Sequence, residues 1–371
     1  MGMLLWWVDQ SLIFYMKSID YLLVGQGIAG SLLAYRLIQA RKTVRIIDSG
    51  LHHGSSIVAA GIINPITGRN YVKSWNFETL STEITALYTE LEQVLGISLL
   101  REVKILRTLF NTFDQNKWMS KSARPDYKDY LGEIEKNHED WSPVLRQNLP
   151  LAVTHHGKLA DLPLLVTTLR SKWVEAGILE TGCFDSRNLS CQSDYVSYGD
   201  LRAKDIIFCE GNGILNNRFF KSLPMIGYIG EVLKVKIPDI RTKNILKQKS
   251  FLVPLNEQIF WFGPFDHPHN SFEKAPSENG RRVLVQNLKN IIQAPFEVVE
   301  HLAGVRTTVI DRKPILGTHP HFSRIHIFNG LGTKGASLAP YFSKLLVEYL
   351  IANKPIPKSV NIDRFKLNSV N

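Results

Sequence analysis

Apolar residues along this chain follow two rhythms, and the rhythms divide it. Short, nearly unbroken apolar runs at Tyr21–Val24, Thr43–Ile47 and Asp205–Cys209 read as strands covered on both faces, as in a parallel sheet. Helical spacing follows the first of them over Ser31–Gln39 and returns over Leu162–Glu175, which has a proline in its first turn and Gly177 just past its end. From Glu78 to Leu95 the apolar positions Leu80, Ile84, Leu87, Tyr88 and Leu91 predict an amphipathic helix, and Val103–Phe110 a strand. The segment 111–150 is polar and rich in aromatic residues and proline, unlike any strand of a parallel sheet. Gly230–Ile237, Ser250–Leu255 and Ile259–Gly263, joined by turn residues, predict an antiparallel sheet, followed by a helix over Arg281–Ile292 and a strand over Glu297–Ala303. Asp311–Gly317, a strand over Arg324–Asn329, a glycine-rich loop and a long helix to Leu350 close the pattern.

The expected fold is therefore α/β and interleaved. Residues 16–80, 150–225 and 300–371 form one discontinuous domain around the parallel sheet. Residues 81–149 and 226–299 form an α+β domain carrying the antiparallel sheet. Residues 1–15 are an apolar extension with Asp9 in the middle. They lack the basic start and small-residue cleavage site of a secretory signal, and read as an upstream start-site artefact or a small accessory element before Met16-Lys17.

The candidate chemistry sits at the ends of the strands. Between the first strand and first helix, Gly25-Gln26-Gly27-Ile28-Ala29-Gly30 spells G-x-G-x-x-G. In that fingerprint Gly25 makes the turn, Gly27 admits a pyrophosphate, Gly30 lets helix and strand pack, and the helix N-terminus faces the phosphates. The second strand ends in Asp48-Ser49, which places a carboxylate for a ribose hydroxyl. This is a Rossmann-type dinucleotide site. The small residues around Ala60, Gly61 and Ile62 let backbone lie against a flat ring, and Gly211 turns the chain after the third parallel strand. Near the C-terminus Gly330, Gly332, Thr333, Lys334 and Gly335 open the last helix, a second nest of N–H groups suited to an anion. In a flavin enzyme such a helix start stabilises charge developing near N1 and the C2 carbonyl, with Lys334 as an added cation. Arg306 has the geometry to hold a carboxylate in a bidentate fork, or else to form a salt bridge with Asp311 or Glu300. An NAD-linked dehydrogenase shares the first motif but has no use for the second nest.

Composition narrows the field. With 371 residues, 44% hydrophobic and 21% charged, the chain suits two globular domains, and no apolar run is long enough to span a bilayer. Cys183, Cys191 and Cys209 form neither a disulfide set nor a C-x-x-C pair and suit a reducing cytoplasm. Metal is not expected, since His52-His53 lacks a third ligand at suitable spacing. The net charge of +10 raises an acidic partner, nucleic acid or membrane surface, but the basic residues are scattered and read as a solvated surface.

Taken in order, Gly25–Gly30, Ala59-Ala60-Gly61, Ile229–Leu233, Phe251–Pro254, Gly304-Val-Arg306, Lys313–Gly317 and Gly330-Leu-Gly332 resemble the FAD-dependent D-amino-acid oxidase/glycine oxidase superfamily over about residues 16–352. The loop Gly330–Ala336 with Ala339-Pro340 looks most like the oxidase half of the bifunctional tRNA 5-methylaminomethyl-2-thiouridine biosynthesis enzyme. The resemblance implies a flavin domain with an antiparallel sheet over the flavin face. It also implies oxidation of a C–N bond in a small amino acid or secondary amine by hydride transfer to flavin N5, with Arg306 on the carboxylate. Removal of a carboxymethyl group from a wobble uridine in tRNA, and a flavoprotein subunit without catalysis, are the alternatives. The chain departs from the pattern at Asp48, where glutamate is common, and at Phe251, where glycine oxidases carry a tyrosine. No cysteine lies near the C-terminal loop, so the FAD is expected to be non-covalent.

Overall fold

The computed structural model describes residues 18–50, 54–268 and 275–367. The N-terminal extension and His52-His53 lie outside them. The fold is mixed α/β, built on two large sheets.

The first sheet has a parallel centre. Its strands run side by side in the order Leu179–Thr181, Val44–Asp48, Ser18–Val24, Leu201–Phe208 and Phe322–Asn329. Tyr21, Leu22, Leu23 and Val24 are all buried, as expected for a central strand covered on both faces. The helix Ile28–Gln39 follows at once, and its last turn closes on Ala40. The helix Leu162–Glu175 begins where Asp161 accepts a hydrogen bond from Leu164 N (2.9 Å), with Pro163 in its first turn.

The second sheet is larger and almost wholly antiparallel. Its order is Glu297–Val309, Met225–Lys236, Ile259–Pro268, Phe251–Pro254, Ile245–Lys247, Leu100–Thr108, Leu151–Ala160 and Ile62–Ile63. One neighbouring pair, Ile245–Lys247 with Leu100–Thr108, runs parallel. Three stretches assigned from sequence to the flavin part belong to this sheet instead: Ile62–Ile63, Leu151–Ala160 and the start of the 300–371 segment. The reason is continuity. Glu297–Val309 is one strand paired along its length with Met225–Lys236, so Gly304–Arg306 lies inside it and not beyond its end. The 111–150 segment supplies a helix, Thr112–Ser122, and an outer strand, Leu131–Glu135, anchored by the buried Trp118 and Trp141.

Glu231, in the resemblance motif, points into a polar knot. Its buried carboxylate accepts from Ser277 N (3.0 Å) and Ser277 Oγ (2.7 Å) and contacts His267 and His301, which fixes the start of the helix Glu278–Ile291.

Three helices lock the two ends of the chain together. The last helix, Gly335–Ala352, packs on Ile28–Gln39, and the amphipathic Phe77–Leu95 packs across the last one. Pro340 sits inside the last helix, so the carbonyl of Ala336 gets no N–H from it. The buried hydroxyl of Tyr88 donates to that carbonyl instead, at 3.0 Å. Arg36 reaches Ser343 Oγ (3.1 Å), and Glu83 takes both Arg36 and Lys344. The consequence is positional: a side-chain carbon added at Gly335 would sit 3.1 Å from Ile28 Cγ2. Tyr88→Phe, which leaves the Ala336 carbonyl buried without a donor, is expected to cost about 1–3 kcal/mol in urea unfolding and to weaken FAD binding. Unchanged stability and FAD affinity would remove this bond from the account.

Candidate functional site

A cavity of about 850 Å³ opens where the C-terminal ends of the parallel strands meet the second sheet. Gly25, Gly27, Ile28 and Ala29 form one wall. Gly25 takes φ +97°, and a Cβ there would lie 2.6 Å from the Cys209 carbonyl. Gly30 is not in the wall. A Cβ on it would meet the Gly25 carbonyl at 2.0 Å, which is the close helix–strand approach expected from the sequence. The helix begins on Gly27 with no capping side chain of its own, and Ile28 N donates to Ser56 Oγ at 3.0 Å. Ser56, from the loop after the second strand, thus stands beside the helix start, a contact with no mark in the local sequence.

Asp48 and Ser49 line the same cavity, but Asp48 is already engaged. It accepts from Gln26 N (2.8 Å), Gly50 N (2.8 Å) and Arg170 Nη1 (2.7 Å). Sequence reasoning gave it only a ribose. Arg170 lies 122 residues away, on the Leu162–Glu175 helix, and nothing local announces it. Gln26, completely buried, donates from its amide to Ser31 Oγ and Val166 O, both at 2.9 Å. The variable position of the glycine motif is therefore a fastener between two helices.

The rest of the lining comes from the loop after the second strand, the turn after the third parallel strand and the C-terminal segments. Ala60, Gly61 and Ile62 line the cavity, as do Gly211, Gly332, Thr333 and Gly335. The last helix also starts without a capping side chain, on Lys334. Gly330 is set back from the wall, packed against Val309 Cγ2 and the Lys313 carbonyl. Lys334 does not line this cavity. Its side chain faces a second cavity next door, and burial lowers its ammonium pKa.

Arg306 lies in the wall, across the face of Gly230, where a Cβ would come within 2.8 Å of Nη2. Neither expected ion-pair partner holds it. Glu300 pairs with Lys234 (2.7 Å) and Asp311 with Arg364 (2.8 Å). Arg306 instead meets Asp266, a half-exposed carboxylate in the cavity, while its buried Nε has no partner. A guanidinium already on a carboxylate, with a donor to spare, is chemically suited to a carboxylate ligand.

Glu210 completes the lining. Burial pushes its carboxyl up to about 7, partly offset by the hydrogen bond from Asn217 Nδ2 (2.8 Å). Two helix starts whose own first residues give no capping side chain, a glycine-lined wall and a cavity of this size fit a flavin dinucleotide, which supplies two-electron redox chemistry when bound. Raised to about 7 by burial, the Glu210 carboxyl gains its negative charge as pH rises through that value, in the wall of a cavity suited to an anionic dinucleotide. FAD affinity, followed by flavin fluorescence, is expected to fall between pH 6 and pH 8, and Glu210→Gln to flatten that fall. A wild-type affinity that rises with pH would contradict the assignment.

Comparison with known proteins gives the family. A family model described as FAD dependent oxidoreductase matches residues 20–349. Glycine oxidase from Pseudomonas aeruginosa is 23% identical over 358 residues, covering 90% of this chain and 95% of that protein. The structure of iminodiacetate oxidase from Chelativorans sp. BNC1 superposes with a TM-score of 0.75 at 19% identity, covering 91% of this chain and 97% of that one. Glycine oxidase from Geobacillus kaustophilus gives 0.75 at 20% identity, with 92% and 96% covered. Those two structures share the fold. With its glycine-lined cavity and a match over most of its length, the chain belongs to the DAO family of FAD-dependent oxidoreductases.

Proposed function

We propose that this enzyme oxidises the C–N bond of an amino acid or a secondary amine that carries a carboxylate. The supporting observation is Arg306: it sits in the wall of the FAD cavity, spread over Gly230, with a carboxylate on one nitrogen and another left unpartnered. A substrate carboxylate exchanges with Asp266 on that guanidinium and so fixes the carbon next to nitrogen against the flavin. FAD held in this cavity would supply the two-electron acceptor for that carbon–nitrogen bond, with oxygen or another acceptor taking the electrons afterwards and water hydrolysing the imine. Alignment does most of this work, so no side-chain base is required. Trp261 helps shape the cavity: its Nε1 donates to Val58 O at 2.8 Å and holds the loop before Ala60 in place.

In this reading Gly25, Gly27, Ile28, Ala29, Asp48 and Ser49 hold the adenosine diphosphate, with Gly30 setting the helix behind them. Ala60, Gly61, Ile62 and Gly211 shape the cavity, and Gly332, Thr333 and Gly335 face the flavin ring. The named activities of the similar glycine and iminodiacetate oxidases favour the same reaction class. The basic balance of +10 favours a second reading, a carboxymethyl group on a tRNA wobble uridine. Among the described residues no helix is long and apolar enough to cross a membrane.

The purified protein is expected to be yellow and its flavin to bleach under anaerobic conditions with a suitable amine. Arg306→Ala is expected to keep its FAD and lose about a hundredfold in kcat/KM, the value of a charge-assisted fork on the substrate. Full activity in Arg306→Ala, or no bleaching by any amine or amino acid, would overturn the proposal.

A further inference from the structure

A second cavity, about 820 Å³, lies beside the first. Ile62, Lys247, Lys249, Phe251 and Thr333 line both, so the two cavities adjoin across these side chains. The second chamber is strongly cationic. Arg107, Lys247, Lys249 and Lys334 line it, with Arg69 exposed at its edge, against the single carboxylate of Asp114.

Several partly buried cations elsewhere in the protein rest on carboxylates. Arg36 rests on Glu83, Arg170 on Asp48 and Arg364 on Asp311. Among the described residues, Arg107, Lys247 and Lys334 have no carboxylate within ion-pair distance. Arg107 lies over the Tyr71 ring, 4.8 Å from its centre. Lys247 Nζ lies 3.9 Å from the centre of the Phe251 ring and donates to the Lys249 carbonyl at 2.8 Å. These are weak partners for half-buried charges. Burial, with the Arg107 charge beside it, pulls the Lys247 ammonium down to about 8, and burial lowers Arg107 as well. Like charges gathered in one chamber, outnumbering the one carboxylate of Asp114 and with none of Arg107, Lys247 and Lys334 in an ion pair among the described residues, cost stability unless an anion enters.

We propose that the second chamber binds a second anionic group of the substrate, a carboxylate or a phosphate, held by Arg107, Lys247 and Lys334 while the first carboxylate sits on Arg306. The substrate class is then an amino acid or secondary amine with two acidic groups. This rests on the first cavity being the site of amine oxidation. The Arg107 guanidinium can take either group through two parallel hydrogen bonds, and the two lysines act as point charges. Phe251, where the sequence lacks a tyrosine hydroxyl, becomes the apolar passage between the two ends of one molecule.

The test uses the FAD-loaded enzyme in two assays. In the first, acetate, succinate, inorganic phosphate and unmodified tRNA are titrated while the flavin spectrum is followed. In the second, the flavin is bleached anaerobically by glycine, N-methylglycine, aspartate, glutamate, iminodiacetate and O-phosphoserine, with both enantiomers where they exist. Doubly anionic amines are expected to exceed the singly anionic ones at least about tenfold in kcat/KM, and the carboxylate and phosphate compounds tell the two sources apart. Arg107→Gln is expected to raise KM for the doubly anionic amine, and the dissociation constant of succinate or phosphate, about tenfold or more, with FAD content unchanged. Arg107→Lys should recover part of the loss, and Lys247→Met carries the same expectation if Arg107→Gln does not fold. Equal reaction of singly and doubly anionic amines, with the variants unchanged, would overturn the second chamber and leave the oxidase reading standing. If no amine reacts, the oxidase reading fails, and the anion titration alone decides. Binding of succinate or phosphate weakened by Arg107→Gln supports the chamber, while no binding, or a response to tRNA alone, rejects it.

Discussion

One buried hydrogen bond makes the rest of the arrangement possible: Tyr88 Oη on the carbonyl of Ala336. Pro340 deprives that carbonyl of its partner one turn below the start of the last helix, at the level where the helix must approach a ligand. A free carbonyl there would be costly in a dry core. The tyrosine repairs it from a third helix, and in doing so ties the C-terminal helix start to the body of the protein. Arg36, Glu83 and Lys344 add charge to the same junction. Two helix N-termini separated by about three hundred residues of sequence then meet at one cavity, Ile28 against Gly335. The junction thus holds the two helix starts side by side in the wall of that cavity.

Much of this was legible because it is local. The glycine motif, the strand before it and the helix after it occupy consecutive residues, and each position has its own steric requirement. The helices at Phe77–Leu95 and Leu162–Glu175 also announce themselves, one by its apolar period and the other by its first-turn proline and Gly177. Three antiparallel strands, near Gly230–Ile237, Ser250–Leu255 and Ile259–Gly263, are visible from the turn residues between them. What stayed hidden is pairing at a distance. Arg170 on Asp48, Ser56 on Ile28 N and Asp266 on Arg306 join residues with no common pattern, since a salt bridge or hydrogen bond leaves no period in the chain. The division between the two sheets was misjudged at Leu151–Ala160 and Glu297–Val309 for a related reason: strand membership is decided by the neighbour, and the neighbour lies elsewhere in the sequence.

The charges show the same division. Scattered through the sequence, the basic residues read as a solvated surface. In the fold, Arg107, Lys247 and Lys334 come from a strand of the second sheet, another strand beside it and the loop before the last helix, and they converge on one chamber. Lys334, read from its glycine-rich surroundings as a cation for the flavin, faces that chamber instead. Under the proposal above, that placement gives Lys334 to the second anion of the substrate rather than to the cofactor.

The central claim is that both helix starts hold one flavin, and Gly335 tests it most directly because it lies far in sequence from the recognised motif. FAD titration of Gly335→Val, alongside Gly27→Val and the unaltered protein, is the measurement. The account predicts one FAD per chain for the unaltered protein, released on denaturation, and a weaker affinity in both variants by about tenfold or more. A Gly335→Val protein that is folded and binds FAD as tightly as the unaltered chain would contradict it.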